Sequence, residues 1–139
     1  MNVIITGTPG TGKTVLAKQL AKQLHLHYVS ITAFVKQHKI YMKTDALDVD
    51  PAQLIPPLLK EMHKHNGCIV DGHLSHYLPR KEVSVCFVTK CPLPVLRERL
   101  AKRKYAEQKM RQNLDSEIFN VCYEEAKRKG HKPIVVWTE

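Results

Sequence analysis

The sequence has no apolar run approaching the roughly 20 residues that a membrane-crossing helix requires. It opens straight onto a short β-rich run, with no charged leader and no cleavage site, so nothing in it suggests secretion. No C-x-x-C pair occurs among its four cysteines, Cys68, Cys86, Cys91 and Cys122. Three of them fall in or beside expected buried strands, where a thiol packs as a small hydrophobe. They read as reduced thiols of a cytosolic-type compartment. There is no internal repeat, low-complexity segment or linker. Acidic residues are scarce: 13 Asp and Glu stand against 22 Lys and Arg, a net charge of +9. That balance suggests a polyanionic partner without requiring one. Apolar content of 43% and a mean hydropathy of −0.31 are those of a soluble globular chain. At 139 residues, 1–139 is expected to be one domain around one core.

What is present is concentrated near the start. Gly7-Thr8-Pro9-Gly10-Thr11-Gly12-Lys13-Thr14 fits G-x-x-x-x-G-K-S/T, the loop that binds phosphates in P-loop nucleotidases. Its glycines let successive backbone N–H groups turn inward as a nest for phosphate oxygens. The following helix adds its positive dipole end to the same anion. In this pattern the backbone of Gly10, Thr11, Gly12, Lys13, Thr14 and Val15 holds the α/β-phosphates. Lys13 reaches the β/γ-phosphates, and the Thr14 hydroxyl holds Mg²⁺. The context agrees, since Asn2 to Thr6 is a β-rich run and Val15 to Leu24 has helical periodicity.

Further along, His27–Ser30 reads as a strand, and Ser30 or Thr32 as the cap of a helix to about His38. Residues 39–50 lack periodicity, carry Asp45, Asp48 and Asp50, and read as a mobile loop. Asp50-Pro51 opens a helix that ends near Asn66-Gly67, with Pro56-Pro57 expected to distort it. Cys68–Asp71 and Glu82–Val88 read as strands, and Pro92 to Lys102 as a helix followed by the basic turn 103–105. A last helix is expected from Leu114 to Lys129, capped by Asn113, with Ile118, Phe119, Cys122 and Ala126 as its apolar stripe. Pro133 to Trp137 is the fifth strand, with no helix after it to cover the sheet. Strands alternating with helices predict an α/β domain with a parallel sheet.

A strand ending in Asp is the usual companion of a phosphate loop, because Mg²⁺ needs a further oxygen ligand or a water held by one. Asp71 fits that place. His73 lies two residues on, so both side chains are expected to face the γ-phosphate. A neutral imidazole there can position water or move a proton. His76 reads as a bystander, and the pairs His25/His27 and His63/His65 as surface residues lacking a third metal ligand. From Arg97 to Arg111, seven Lys/Arg stand against Glu98 and Glu107, which is either a solvated face or a phosphate-handling surface.

Several pieces in order resemble the adenylate kinase isoenzyme 6 (coilin-interacting nuclear ATPase) family and its archaeal relatives. They are Thr6 to Thr14, Val70-Asp-Gly-His-Leu-Ser-His76, Glu98-Arg-Leu100 with Arg103-x-Tyr105, and Asn113 to Phe119 with Tyr123-Glu-Glu-Ala126. The resemblance implies a nucleoside-monophosphate-kinase-like P-loop fold with a five-stranded sheet of order 2-3-1-4-5. It places a lid at about 102–112 carrying Arg103, and a monophosphate-binding region at about 30–48. It ties Asp71 and His73 to ATP hydrolysis, and Asp71 to Mg²⁺ through water. It implies ATP and AMP as substrates, and a role in small ribosomal subunit maturation with a ribosomal protein and rRNA. The Asp-Gly-His-Leu-Ser-His form is similar to the archaeal branch, hence a cytoplasmic protein; a eukaryotic member would be nuclear. The family's C-terminal helix has no counterpart in the sequence.

Three activities stay open at this point. With AMP in the second site the protein is a kinase producing two ADP. With water held by His73 it is an ATPase, and hydrolysis would drive an assembly switch that releases a ribosomal protein or RNA. The third is a nucleotide-binding module without turnover, which intact Lys13, Thr14, Asp71 and Arg103 argue against. Either a monomer or a partner-bound form fits.

Overall fold

Strand β1 (Val3–Gly7) is the axis of the fold, and every one of its residues is buried. A strand covered on both faces reads as a continuous β-branched run, which is what Val3-Ile-Ile-Thr6 supplies. The computed structural model describes residues 1–40 and 49–138. Around β1 stand β2 (His27–Ser30), β3 (Cys68–Asp71), β4 (Val85–Lys90) and β5 (Ile134–Trp137), in the order β2-β3-β1-β4-β5. All pairings are parallel, with Ile5 opposite Asp71 on one side and Phe87 on the other. The expected sheet order is therefore found.

Side chains of β1 alternate between two cores. Ile4 joins Phe34, Leu54, Leu58, Met62 and Val70 on one face. Val3 and Ile5 meet Ala17 and Ala21 on the other. Those alanines belong to α1 (Lys13–Leu24), and their small size lets the helix lie close on the sheet. The first core is roofed by α2 (Ile31–Gln37), α3 (Pro51–Met62) and α6 (Val121–Arg128). A third cluster of Cys91, Leu96, Leu100 and Met110 joins α4 (Leu93–Lys102) to α5 (Glu107–Ile118). Burying each such aliphatic side chain stabilises the fold by about 1.5–3 kcal/mol.

Two of the expected caps are found. Ser30 accepts from the Ala33 N–H and Asp50 from the Ala52 N–H. Pro56 and Pro57 sit inside an unbroken α3. Proline at these positions removes donors to the Ala52 and Gln53 carbonyls, but both residues are exposed and solvent satisfies them. Asp45 and Asp48, in the expected loop, lie outside the described residues, as does the end of the 30–48 region.

Two expected elements differ. β4 begins at Val85 rather than Glu82, because Arg80–Glu82 forms a 3-10 turn closed by the Arg80 side chain on the Val83 carbonyl. The single expected helix 114–129 is two helices. α5 starts at Glu107, and the chain breaks at Asn120, which takes a left-handed φ of 57° before α6. Asn113 is therefore no cap; it is buried within α5 and donates to the Lys109 carbonyl. The break also resets the helical phase. Glu117 turns inward, while Ile118 and Phe119 are 56% and 72% exposed, and only Cys122 and Ala126 keep their expected burial.

All four cysteines are buried, unpaired thiols. β5 is the exposed edge of the sheet, with Ile134 and Trp137 more than half accessible. No helix among the described residues is long and apolar enough to cross a membrane.

Candidate active site

The phosphate loop follows β1 at the C-terminal end of the sheet, where open α/β sheets place their ligands. Gly7 must be glycine: its φ is 147°, and a Cβ there would come within 2.5 Å of the Thr89 hydroxyl. Gly12 opens α1 in a left-handed conformation that leaves the helix N-terminus facing the loop. Residues from β4, α4, α5 and just past β5 then brace the curl. Thr11 donates its hydroxyl to the Thr8 carbonyl at 2.6 Å and pairs with the Thr89 hydroxyl at 2.7 Å. Arg99 donates to the Gly10 carbonyl at 3.1 Å, and Thr138 to the Thr11 carbonyl at 2.6 Å. Glu117 accepts from the Thr8 hydroxyl at 3.1 Å, from the Cys91 N–H, and pairs with Lys90 at 3.5 Å.

Lys13 folds back over this loop, donating to the Gly7 and Thr8 carbonyls at 2.9 and 3.2 Å. Burial holds its ammonium below the ordinary lysine value, and Arg103 adds to that depression. Asp71 and Glu117 pull the other way. The Thr14 hydroxyl donates to Asp71 Oδ2 at 2.8 Å. The Tyr28 hydroxyl donates to the same oxygen at 2.8 Å. Burial, with the hydrogen bond to Asp71, pushes the Tyr28 phenol up to about 12, so it remains a donor at neutral pH.

A cavity of about 810 Å³ runs from the loop toward α2, lined by Lys13, Thr14, Tyr28, Lys36, Asp71, His73 and Arg103 among others. Asp71 and His73 thus border one space, as their alternate spacing implies. A second cavity of about 630 Å³ lies on the other side of the loop, between Arg99, Arg103, Trp137 and Thr138. Gly10, Gly12, Val15 and Arg103 line both. In the stretch where the lid is expected, α4 ends at Lys102, Arg103 caps it, and α5 begins four residues later. Its arginine faces the loop from the exposed end of α4.

Two histidine readings do not hold. His76 is no bystander: it is 1% exposed, with Nδ1 at 2.7 Å from the Thr6 hydroxyl and Nε2 at 3.1 Å from Glu125. Burial lowers its pKa, against the opposing pull of Glu125. His27 and His65 are not isolated either, since Glu61 completes a cluster with them. Glu117, Thr89, Tyr28 and Thr138 are site residues that sequence reasoning missed. Glu117 did lie within one of the stretches carrying the family resemblance, but its partners are set by the fold.

Comparison with known proteins agrees with this architecture. The AAA domain family matches residues 3–120. A Methanocaldococcus jannaschii protein named "Putative adenylate kinase" is 35% identical over 138 residues, covering 95% of this chain and 75% of the relative. The adenylate kinase isoenzyme 6 homolog of Schizosaccharomyces pombe is 34% identical over 139 residues, covering 97% of this chain and 79% of its own. Shikimate kinase from Acinetobacter baumannii in complex with shikimate superposes with a TM-score of 0.70 at 15% identity, over 99% of this chain and 83% of that one. Deoxyadenosine kinase from M. mycoides with bound dATP gives 0.57 at 16%, over 98% and 90%. These two structures speak for the fold: a small kinase sheet with its phosphate loop after β1. With about a third of its residues identical to the curated relatives along nearly its whole length, the chain belongs to the adenylate kinase isoenzyme 6 family of P-loop phosphotransferases.

Proposed function

We propose that this protein is an adenylate kinase, transferring the γ-phosphoryl of ATP to AMP and yielding two ADP. The observation that carries this reading is the pair of cavities that share the phosphate loop as their common wall. A two-nucleotide kinase needs one site on each side of the transferring group. The Trp137 side offers an apolar slot with Arg99 for a base. The α2 side offers Ser30, Thr32 and Lys36 for a monophosphate.

The residues have the following roles. Backbone N–H groups of residues 10–15 hold the α/β-phosphates. Lys13 leaves its own loop carbonyls and moves onto the β/γ-phosphates. Arg103 closes over the transferring group, where positioned charge supplies most of the rate. Thr14 and Asp71 fit Mg²⁺, since they bring a hydroxyl and a carboxylate, both hard oxygen donors, within 2.8 Å of each other. Thr14 would hold the ion directly and Asp71 through water. The ion's contribution is neutralisation of phosphate charge. Tyr28 keeps the Asp71 carboxylate oriented by its hydrogen bond.

A second reading, hydrolysis with water in the place of AMP, rests on His73. It is half-buried and lines the cavity beside Asp71. There it can hold a water or accept its proton. The net charge of +9 supports a polyanionic partner such as rRNA or a ribosomal protein–RNA complex for such an ATPase, in the cytoplasm.

One experiment separates the two. The protein is incubated with ATP and Mg²⁺, with and without AMP, while ADP and free phosphate are measured. Two ADP per AMP consumed is the kinase result. Phosphate release independent of AMP, and lost in His73→Ala with ATP binding retained, is the hydrolase result. Absence of both products sinks both readings.

A further inference from the structure

The N-terminal end of the sheet, opposite the nucleotide site, holds a second cluster of chemistry-bearing residues. His27 is the first residue of the edge strand β2, Glu61 lies in the last turn of α3, and His65 follows that helix. One ligand atom from each lies within 4.8 Å of the other two, and among the described residues this is the one such grouping. We propose that His27, Glu61 and His65 form a site for a divalent transition metal of the zinc class, which clamps β2 to the end of α3.

The donor set suits that ion. Two imidazoles and one carboxylate are ligands that zinc takes in four-coordinate sites, leaving a fourth position to water. Glu61 and His65 are four residues apart across the end of α3. Their side chains already meet at 3.1 Å.

The backbone needs no rearrangement. The His27 N–H donates to the Gly67 carbonyl at 3.0 Å, and His27 pairs in register with Cys68. Strand pairing therefore fixes the Cα of His27 beside the turn that carries His65. The two rings stack with centroids 3.6 Å apart and planes 11° from parallel. Binding requires only that the rings splay about their side-chain torsions. His27 is exposed and can do so. A groove of about 260 Å³, lined by His27 and Glu61, gives solvent access. Lys64, 3.6 Å from the other Glu61 oxygen, is an exposed competitor that solvent can take up.

Such a clamp secures an edge strand whose next residue, Tyr28, hydrogen-bonds Asp71. It does not rest on the proposed kinase activity, and its failure would leave that proposal untouched.

The test is a titration of the nucleotide-free chain with zinc chloride, followed by calorimetry and thermal melts. One ion per chain is expected. At a hundredfold excess over Kd the melting temperature should rise by roughly 5–10 °C. His27→Ala, His65→Ala and Glu61→Gln should each weaken binding by at least about tenfold. His63→Ala, a neighbouring surface histidine bound to Glu82, should leave it unchanged. His27→Ala removes an exposed ring, so its metal-free melt should match the parent and serve as the folding control. No measurable zinc binding, binding undiminished in His27→Ala, or binding lost in His63→Ala each overturns the site.

Discussion

The two halves of the nucleotide site are held in opposite ways. The phosphate loop is fixed from four directions, by Thr89 of β4, Arg99 of α4, Glu117 of α5 and Thr138 beyond β5. The Arg103 side hangs on a link between α4 and α5, where Lys104 takes a φ of 58° and both residues are exposed. Phosphoryl transfer asks for both. An anion nest works only if it is already in place, because reorganising it would raise the barrier. A closing cation must leave to admit substrate and return to exclude water. A braced loop and an arginine on an exposed link suit those demands.

The comparison breaks most sharply at Lys13. Its hydrogen bonds go to the loop's own Gly7 and Thr8 carbonyls, and Lys13→Ala should leave stability within about 0.5 kcal/mol of the parent. Its kcat should fall by roughly 10³-fold or more, since the mobile charge on the transferring group is gone. Steady-state kinetics with a urea melt reads both quantities. A comparable loss of stability would show that Lys13 is part of the brace instead.

Glu117 tests the braced half from outside the loop. Glu117→Ala removes a partner from the Thr8 hydroxyl and from the Cys91 N–H, and takes the carboxylate from Lys90, 14% exposed, which keeps Asn120, the residue 117 carbonyl and the Trp137 ring. Removing one side of such a buried pair should cost about 3 kcal/mol in urea denaturation. The loosened Thr8 should raise KM for ATP. Arg103→Ala should behave in the reverse way. Its melt should match the parent, and kcat should drop by about 10²-fold with little change in ATP affinity. If Arg103→Ala destabilises and Glu117→Ala does not, the division into braced and exposed halves is wrong.

This division was only half legible in the sequence. Glycine and lysine spacing announces the loop because its chemistry is local, and Asp71 and His73 follow from a strand's alternation. The braces are not local. Glu117 meets Thr8 across 109 positions and His76 meets Thr6 across 70. A buried carboxylate on a helix looks like a solvated one until the fold supplies its donors. The break at Asn120 was hidden for another reason. No Gly or Pro marks it, and an asparagine that accepts a left-handed φ resembles any polar helix residue. Missing it shifted the helical phase and put Ile118 and Phe119 on the wrong side. The zinc-class cluster escaped likewise, because Glu61 and His65 are sequence neighbours while His27 arrives through strand pairing.

His76 offers the finest probe, because it joins the braced half to His73. Glu125 faces its Nε2 and Thr6 its Nδ1, while His131 and Lys129 lie nearby and oppose its charging. The Thr6 hydroxyl has one proton and two acceptors, His76 Nδ1 at 2.7 Å and the His73 carbonyl at 3.2 Å. With His76 neutral and Nε2–H on Glu125, that proton goes to Nδ1. With His76 charged, it goes to His73. Burial depresses the folded pKa of His76 from its ordinary 6.5, so the fold disfavours its charged form. The neutral ring's contribution is therefore complete above pH 6.5 and lost as pH falls through the folded value. One group can steepen the dependence by at most about 1.4 kcal/mol per pH unit. Urea midpoints of the parent and His76→Gln between pH 7.5 and 5 should separate at the alkaline end and converge at the acid end. Parallel curves would mean that His76 does not titrate differently in the folded and unfolded chain. A convergence toward alkaline pH would mean that Glu125, rather than burial, governs the ring.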